Sequence, residues 1–194
     1  MNAIQRDEIR TERLHLRAWT SADLAPFAAI NADPTARRWY PALEDRAKSD
    51  ASVRRFDEHH ATYGYTFWAV EVVESERGPA TFIGSTGLIR PKFEAPFSHS
   101  DPLVEIGWRL DPAWWGLGLA TEAARACLDY AFGRVGLPEV VSFTVPPNLA
   151  SQAVMQRLGM HYDGVFERPG ADGAWWGPHV LYRIRPPEFD GMVG

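Results

Sequence analysis

Large apolar and polar residues alternate over residues 13–19 (RLHLRAW), the period of a strand that buries one face. Thr20, followed three residues later by Asp23, predicts a capped helix running to about Ala32, with Pro34 beyond it. Val53, Phe56, His60 and Tyr63 recur at spacings of three and four, which predicts a second helix that Gly64 stops. Residues 66–73 and 81–89 read as strands separated by the turn-rich stretch 75–79. Gly84 and Gly87 inside the second of these mark a bulge or a close backbone approach.

The centre of the chain carries the clearest pattern. Residues 103–110 (LVEIGWRL) read as a strand that Asp111-Pro112 closes. Ala120, Ala123, Ala124, Cys127, Leu128, Ala131 and Phe132 then fall on one helical face, with Glu122, Arg125 and Asp129 on the other. This predicts an amphipathic helix over 117–134, ended by Gly133, Gly136 and Pro138. Residues 140–145 are nearly all apolar, as in a central strand buried on both sides. Asn148 caps a further helix through Ala150, Val154 and Leu158, which stops at Gly159. Residues 161–167 and 179–184 form a closing hairpin around the loop 170–177. The class is α+β, with a strand-turn-helix-strand-helix core.

Composition narrows the function. The chain has 194 residues, 45% hydrophobic and 23% charged, enough to bury the core of one domain over 1–194, and no repeat or linker divides it. A formal net charge of −5 argues against a nucleic-acid partner, and the pairs Arg37-Arg38 and Arg54-Arg55 read as solvated helix faces. No apolar run approaches the roughly 18 residues of a membrane span, and residues 1–10 lack a signal-peptide stretch. With a single cysteine, Cys127, placed on the apolar helix face, the expectation is a cytoplasmic protein without a cysteine-built metal site. No metal is expected, and His59-His60 read as a solvated or core helix face.

Trp115, Gly116, Leu117, Gly118, Leu119, Ala120 and Thr121 lie between a strand and a strong helix, where backbone N–H groups and the positive helix end converge. Such a loop cradles a phosphate, and it also serves a tight strand-to-helix turn that needs glycine for geometry alone. A Walker loop would require Lys-Ser/Thr after its last glycine, where Leu119-Ala120 stands; a dinucleotide fingerprint would require a third glycine. Gly84-Ser85-Thr86-Gly87 lacks the spacing of a hydrolase elbow.

The chain resembles a GCN5-related N-acetyltransferase (GNAT), and within that superfamily the RimJ/RimL branch, which includes ribosomal-protein N-terminal acetyltransferases. The likeness rests on Thr11 through Arg17 (TERLHLR), Glu105-Ile106-Gly107-Trp108, the run from Trp114 to Ala123, Asn148-Leu149-Ala150-Ser151 and Arg157-Leu158-Gly159-Met160, in order and at matching spacing over about 11–185. It implies a mixed, mostly antiparallel sheet with a splayed parallel strand pair flanked by helices, and acetyl-CoA as cosubstrate. Carried over, Trp108 to Leu110 hold the pantetheine arm and Trp115 to Thr121 the pyrophosphate. Two positions depart from the pattern. Trp115 replaces a Gln or Arg, so the loop backbone alone must hold the phosphate, and Met155 replaces the tyrosine that donates a proton to the leaving thiolate.

The implied chemistry is attack of a neutral amine on a thioester. Glu105, just before an expected bulge, is the candidate base; the alternative is a surface strand carboxylate or an ion-pair partner. Ser151 is placed to hydrogen-bond the sulfur or is a helix-start residue, and Asn148 is a cap or a pantetheine contact. The acceptor is a primary amine, of a protein N-terminus first and of a small molecule second, on a surface built from 36–64 and 91–102. Phe93, Phe97 and Trp175-Trp176 would wall its cleft, with Glu94 or Asp101 holding a cation. Trp39-Tyr40, in the early helical region, and Trp175-Trp176 are candidates for lining the acceptor cleft, for plain packing or for a homodimer contact. A non-catalytic acyl-CoA-binding domain and an unrelated phosphate-binding α+β protein are the rival readings.

Overall fold

In the computed structural model, which describes residues 7–74, 78–93, 102–171 and 173–189, the strands are β1 (Ile9–Arg10), β2 (Leu14–Arg17), β3 (Phe67–Val72), β4 (Thr81–Ile89), β5 (Glu105–Leu110), β6 (Val140–Thr144), β7 (His161–Glu167) and β8 (Pro178–Ile184). They form one sheet in the order β1-β2-β3-β4-β5-β6-β8-β7. Every neighbouring pair is antiparallel except β5 with β6. The helices are α1 (Leu24–Ala32), α2 (Arg46–Tyr63), α3 (Leu119–Asp129) and α4 (Leu149–Arg157).

Alternation along the strands sorts their side chains to two faces. Leu14, Leu16, Trp68, Val70 and Ile106 pack with Ala123, Cys127 and Leu128 of α3 and with Val154, Met155 and Leu158 of α4. On the opposite face Ala69 meets Trp19, Phe27 of α1 and Val53 of α2, with Phe56 and Phe82 against them. A third cluster joins Val141, Phe143, Phe166 and Leu181. The α+β reading and the mixed sheet are as the sequence implies. Among the described residues no helix is long and apolar enough to cross a membrane.

The parallel pair opens the sheet. β5 and β6 are in register only at Glu105 opposite Val141, where Val141 N–H donates to Val104 O at 2.9 Å. Just inside the gap, Ser142 Oγ donates to Ile106 O at 3.0 Å. The bulge expected in β5 is absent, since β5 pairs with β4 without a break from Glu105 to Leu110. The irregularity lies between β3 and β4 at Val70/Glu71, where glycine permits it: Gly84 has φ 137, and a Cβ there would stand 2.2 Å from Arg109 O. Gly87 supplies the other close approach, since a Cβ on it would meet Thr66 O at 2.0 Å.

Three helical expectations change. The span 117–134 is shorter at both ends: left-handed Gly116 and Gly118, both at φ 78, delay α3 to Leu119, and a wider π-type turn over Tyr130–Val135 follows it. Residues 33–40 are turns rather than helix, which leaves Trp39-Tyr40 on a connection between α1 and α2. Within that connection Arg37 is not solvated. It is 6% exposed and its Nη1 donates to Glu44 Oε1 at 2.9 Å, because a buried guanidinium requires a counter-charge.

Candidate active site

The turn from β5 into α3 is set by its own residues. Asp111 Oδ1 accepts the Ala113 N–H at 2.9 Å and starts the 3-10 turn Pro112–Trp114. The first bond of α3 runs from Glu122 N–H to Gly118 O at 3.0 Å, so the N–H groups of Leu119, Ala120 and Thr121 precede the helical ladder. Gly116, Leu117 and Gly118 are exposed, and a Cβ on Gly116 would meet nothing within 4 Å. The loop therefore offers bare backbone, a string of donors and the positive end of α3 to one spot.

Two contacts fasten this loop, and neither follows from the local pattern. Arg13, at the head of β2, donates from Nε to Glu122 Oε2 at 2.6 Å and from Nη1 to Leu117 O at 3.0 Å. Glu122 is thus not a solvent-face residue. Desolvation raises its pKa, but hydrogen bonds from Thr11 and Arg13 outweigh that and hold the carboxyl below its usual range. Trp115 turns its indole N–H back to Leu110 O at 2.8 Å. The end of β5 is capped there, which leaves the Leu110 carbonyl already bonded.

The open edge of the β5/β6 gap carries two cavities that join. A groove of about 880 Å³ runs past Trp108, Leu110, Trp115, Gly116, Gly118, Leu119, Ala120 and Thr121 to Ala153 and Arg157 of α4. A smaller cavity of about 110 Å³ holds Glu105, Phe143, Met155, Arg168, Trp176 and His179. Both are lined by Trp39, Tyr40, Trp108, Asn148 and Ser151, which form their junction. Asn148 caps α4, its Oδ1 accepting the Ser151 N–H at 3.3 Å, while its Nδ2 donates to Thr144 Oγ1 at 2.8 Å and Ser151 Oγ at 3.0 Å. The Ser151 hydroxyl oxygen is therefore fixed at the junction and keeps its own proton to donate.

Glu105 stands in the smaller cavity rather than on the surface, and no ion pair joins it to a described residue. The residue is half-buried, and desolvation of its carboxyl among the cavity walls pushes its pKa up to about 7, against a weaker opposing pull from the Arg168 charge. Gly107 is needed beside the Phe67 ring, from which a Cβ would lie only 2.9 Å, while Glu105 Oε1 would stand at an ordinary 4.0 Å. Nearby, His179 Nδ1 donates to Gly177 O at 3.1 Å. Burial lowers its pKa, the bond to Gly177 opposes this, and the Arg168 charge adds to the lowering, so near pH 7 the ring is neutral with Nε2 as an acceptor. Met155 is 1% exposed and brings no donor to this wall. The site holds a carboxyl that can lose its proton near neutrality, a neutral imidazole and a hydroxyl, an arrangement suited to moving a proton from a protonated amine.

The pattern pointed to Glu105, Asn148 and Ser151, and to Trp39-Tyr40 as cleft aromatics, which line both cavities, but not to Arg168, His179 or Phe143. Only the closing hairpin, with Arg168 and His179 at its ends, hinted at the first two. Phe93 packs behind Phe143 at a ring distance of 5.7 Å and does not line the cavity. Trp176 does line it, whereas Trp175 is 58% exposed. Glu94, Phe97 and Asp101 lie outside the described residues. Cys127 is fully buried, and burial pushes its thiol pKa up, as suits packing rather than a nucleophile. Among the described residues no group of three or more His, Cys, Asp or Glu could hold a metal ion.

The family model for the acetyltransferase (GNAT) domain matches residues 13–161. The protein YkkB of Bacillus subtilis (strain 168) is 31% identical over 183 residues, which cover 94% of this chain and 96% of that protein. The crystal structure of an acetyltransferase from Agrobacterium tumefaciens (strain C58) superposes with a TM-score of 0.74 at 26% identity, covering 95% of this chain and 98% of that one. RimL, a ribosomal L7/L12 alpha-N-protein acetyltransferase in complex with coenzyme A, shares the fold at a TM-score of 0.70 and 16% identity, covering 92% of this chain and 98% of its own. The splayed strand pair, the glycine loop and the matched domain lead to one conclusion: the chain belongs to the GNAT acetyltransferase family.

Proposed function

We propose that the protein is a single-domain N-acetyltransferase that moves the acetyl group of acetyl-CoA to a primary amine. The observation that carries this reading is the junction at Trp39, Tyr40, Trp108, Asn148 and Ser151. There a long groove suited to a pantetheine arm and pyrophosphate meets a smaller cavity lined by Glu105. The groove fits the cosubstrate on two counts: β5 and β6 part beyond Glu105/Val141, and exposed loop N–H groups stand over the start of α3. Trp108 offers strand backbone to the pantetheine amides. Residues Trp115 to Thr121 hold the pyrophosphate by backbone alone, as the indole of Trp115 is engaged with Leu110.

Glu105 accepts the proton of the incoming ammonium, directly or through water, and the free amine attacks the thioester carbon. The new C–N bond forms, the C–S bond breaks with its electron pair leaving on sulfur, and the second proton of the nitrogen passes to the thiolate or to solvent. Ser151 donates a hydrogen bond toward that sulfur. An alkyl thiol titrates at about 8.5, so a thiolate leaves without full protonation and Met155 in this wall is tolerated. The acceptor is a primary amine, of a small molecule or of a protein N-terminus; the sequence likeness to the RimJ/RimL branch supports the latter.

Calorimetry with acetyl-CoA, followed by thiol release against a panel of amines, tests the reading. Binding with amine-dependent thiol release is the expected result. Binding without release from any amine would establish the non-catalytic acyl-CoA-binding domain, to which the buried Met155 lends support. Preference for simple nucleotides over acetyl-CoA would reject both.

A further inference from the structure

Arg168 follows β7 directly, and its backbone N–H donates to Gly177 O at 2.9 Å, which fixes the start of the closing hairpin. Its guanidinium lies over Phe93 at 5.4 Å and over Phe143 at 5.9 Å, on the wall of the cavity that holds Glu105. The residue is half-buried, and among the described residues no carboxylate pairs with it. The two arginines that are buried among the described residues are treated differently. Arg37 is held by Glu44, and Arg183 by Glu139 and Asp163. A guanidinium that gives up water without a counter-ion is costly, and the ring faces orient its planar fork without using its N–H donors. The donors are left for something that enters the cavity.

Resting on the transferase reading above, we propose that Arg168 recognises a carboxylate on the acceptor, so that the cavity selects amines that also carry an acid group. The cavity then presents two opposite charges to one small molecule: Glu105 meets the ammonium end and Arg168 the carboxylate end. Arg and carboxylate meet through two parallel N–H···O bonds, a geometry that a carboxamide cannot match. At about 110 Å³ the space suits a short chain between the two charges, the room of about four waters at roughly 30 Å³ each, rather than a long polyamine. The same chemistry has two sources, a free amino acid and a peptide whose first residue is Asp or Glu.

The test pairs acids with their amides: glycine with glycinamide, β-alanine with β-alaninamide, and a peptide beginning with Glu with one beginning with Gln. Each is assayed with wild type, Arg168→Gln and Arg168→Lys. The expected result is a kcat/KM for the acid at least about tenfold above that of its amide, expressed in KM. Arg168→Gln brings the ratio to near one by slowing the acid alone, and Arg168→Lys restores part of it. Selectivity confined to the free amino acids assigns a metabolite acceptor, and selectivity in the peptide pair assigns an acidic N-terminus. Equal losses for acid and amide in Arg168→Gln, or no preference in wild type, overturn the inference. Calorimetric titration of the same pairs with CoA present reads Arg168 without turnover. Acids that bind and lose affinity in Arg168→Gln, with no thiol released, uphold Arg168 and reject the transferase reading. A wild type that neither binds nor acetylates any of the acids overturns the inference.

Discussion

Arg13 and Glu122, 109 residues apart in the chain, close on one another with Arg13 Nε donating to Glu122 Oε2 at 2.6 Å. A second donor of the same guanidinium holds the Leu117 carbonyl at 3.0 Å. The first strands of the sheet thereby set the shape of the loop that opens α3. Arg13→Gln is expected to lower stability by less than about 1 kcal/mol, since the guanidinium is 45% exposed and the pair is screened. Acetyl-CoA affinity should fall further, by about threefold to tenfold, because the loop loses its preorganisation. Thermal melts and calorimetry on the same preparations separate the two effects; a large melt shift with unchanged affinity would make the contact purely structural.

Glu122 also predicts an acid limb of stability. Desolvation works against the carboxylate, but the bonds from Thr11 and Arg13 prevail and hold its folded pKa below the ordinary 4.5. A depressed carboxyl contributes stability that is complete above its unfolded pKa and is lost as pH falls through the folded one. The difference in stability between wild type and Glu122→Gln should therefore be constant from pH 5 to 8 and shrink below about 4.5. Denaturant titrations at stepped pH check this.

Glu105 has the opposite sign. Its folded pKa, about 7, is above the ordinary 4.5, so the folded state binds more protons between those values and stability declines as pH rises through that window. Glu105→Gln removes the burden and should raise stability above pH 7, by about 3 kcal/mol at most. The same substitution should lower acetylation by roughly a hundredfold near neutral pH and abolish the acid limb of kcat/KM near pH 7. Gain of stability with loss of rate is the signature expected of a desolvated base; a rate within about twofold of wild type would remove Glu105 from the mechanism.

Gly118 tests the phosphate loop. At φ 78 it occupies the left-handed region, while the nearest atom to an added Cβ is Arg13 Nη2 at 3.7 Å. Space is available, so Gly118→Ala should cost only the backbone strain, about 1 to 2 kcal/mol. Because Gly118 lines the groove and its strained backbone would no longer present the same donors, acetyl-CoA binding should weaken by at least about tenfold, with kcat for bound cosubstrate little changed. Unchanged affinity in the folded variant would place the pyrophosphate elsewhere.

Asn148 and Ser151 separate scaffold from chemistry. Asn148→Ala removes the cap of α4 and the bonds to Thr144 and Ser151, and should lower stability by about 1 kcal/mol as well as activity. Ser151→Ala leaves the cap in place and should slow turnover by less than Glu105→Gln does, with an unchanged melt. A larger loss at Ser151 than at Glu105 would shift the limiting step to departure of the thiolate.

What the sequence determined by itself was written in neighbouring residues. Alternation placed β2, runs bounded by turn residues placed β3 and β4, the apolar face from Ala123 to Phe132 placed α3, and Asn148 marked where α4 begins, because period and capping are properties of short stretches. The helix boundaries around α3 and the turns at 33–40 were less legible, since glycine conformation and the pairing of Arg37 with Glu44 decide them. Only the tertiary structure decided the character of the site. Glu105 reads the same in sequence as an exposed strand carboxylate; it becomes a group that titrates near 7 because Phe143, Arg168 and Trp176 close round it from other strands and loops. Glu122 looked like solvent-face polarity until β2 brought Arg13 against it, and Arg168 acquires its setting from Phe93 and Phe143. Desolvation and charge pairing depend on distances between residues remote in the chain, and a local pattern of apolar and polar positions carries no record of those distances.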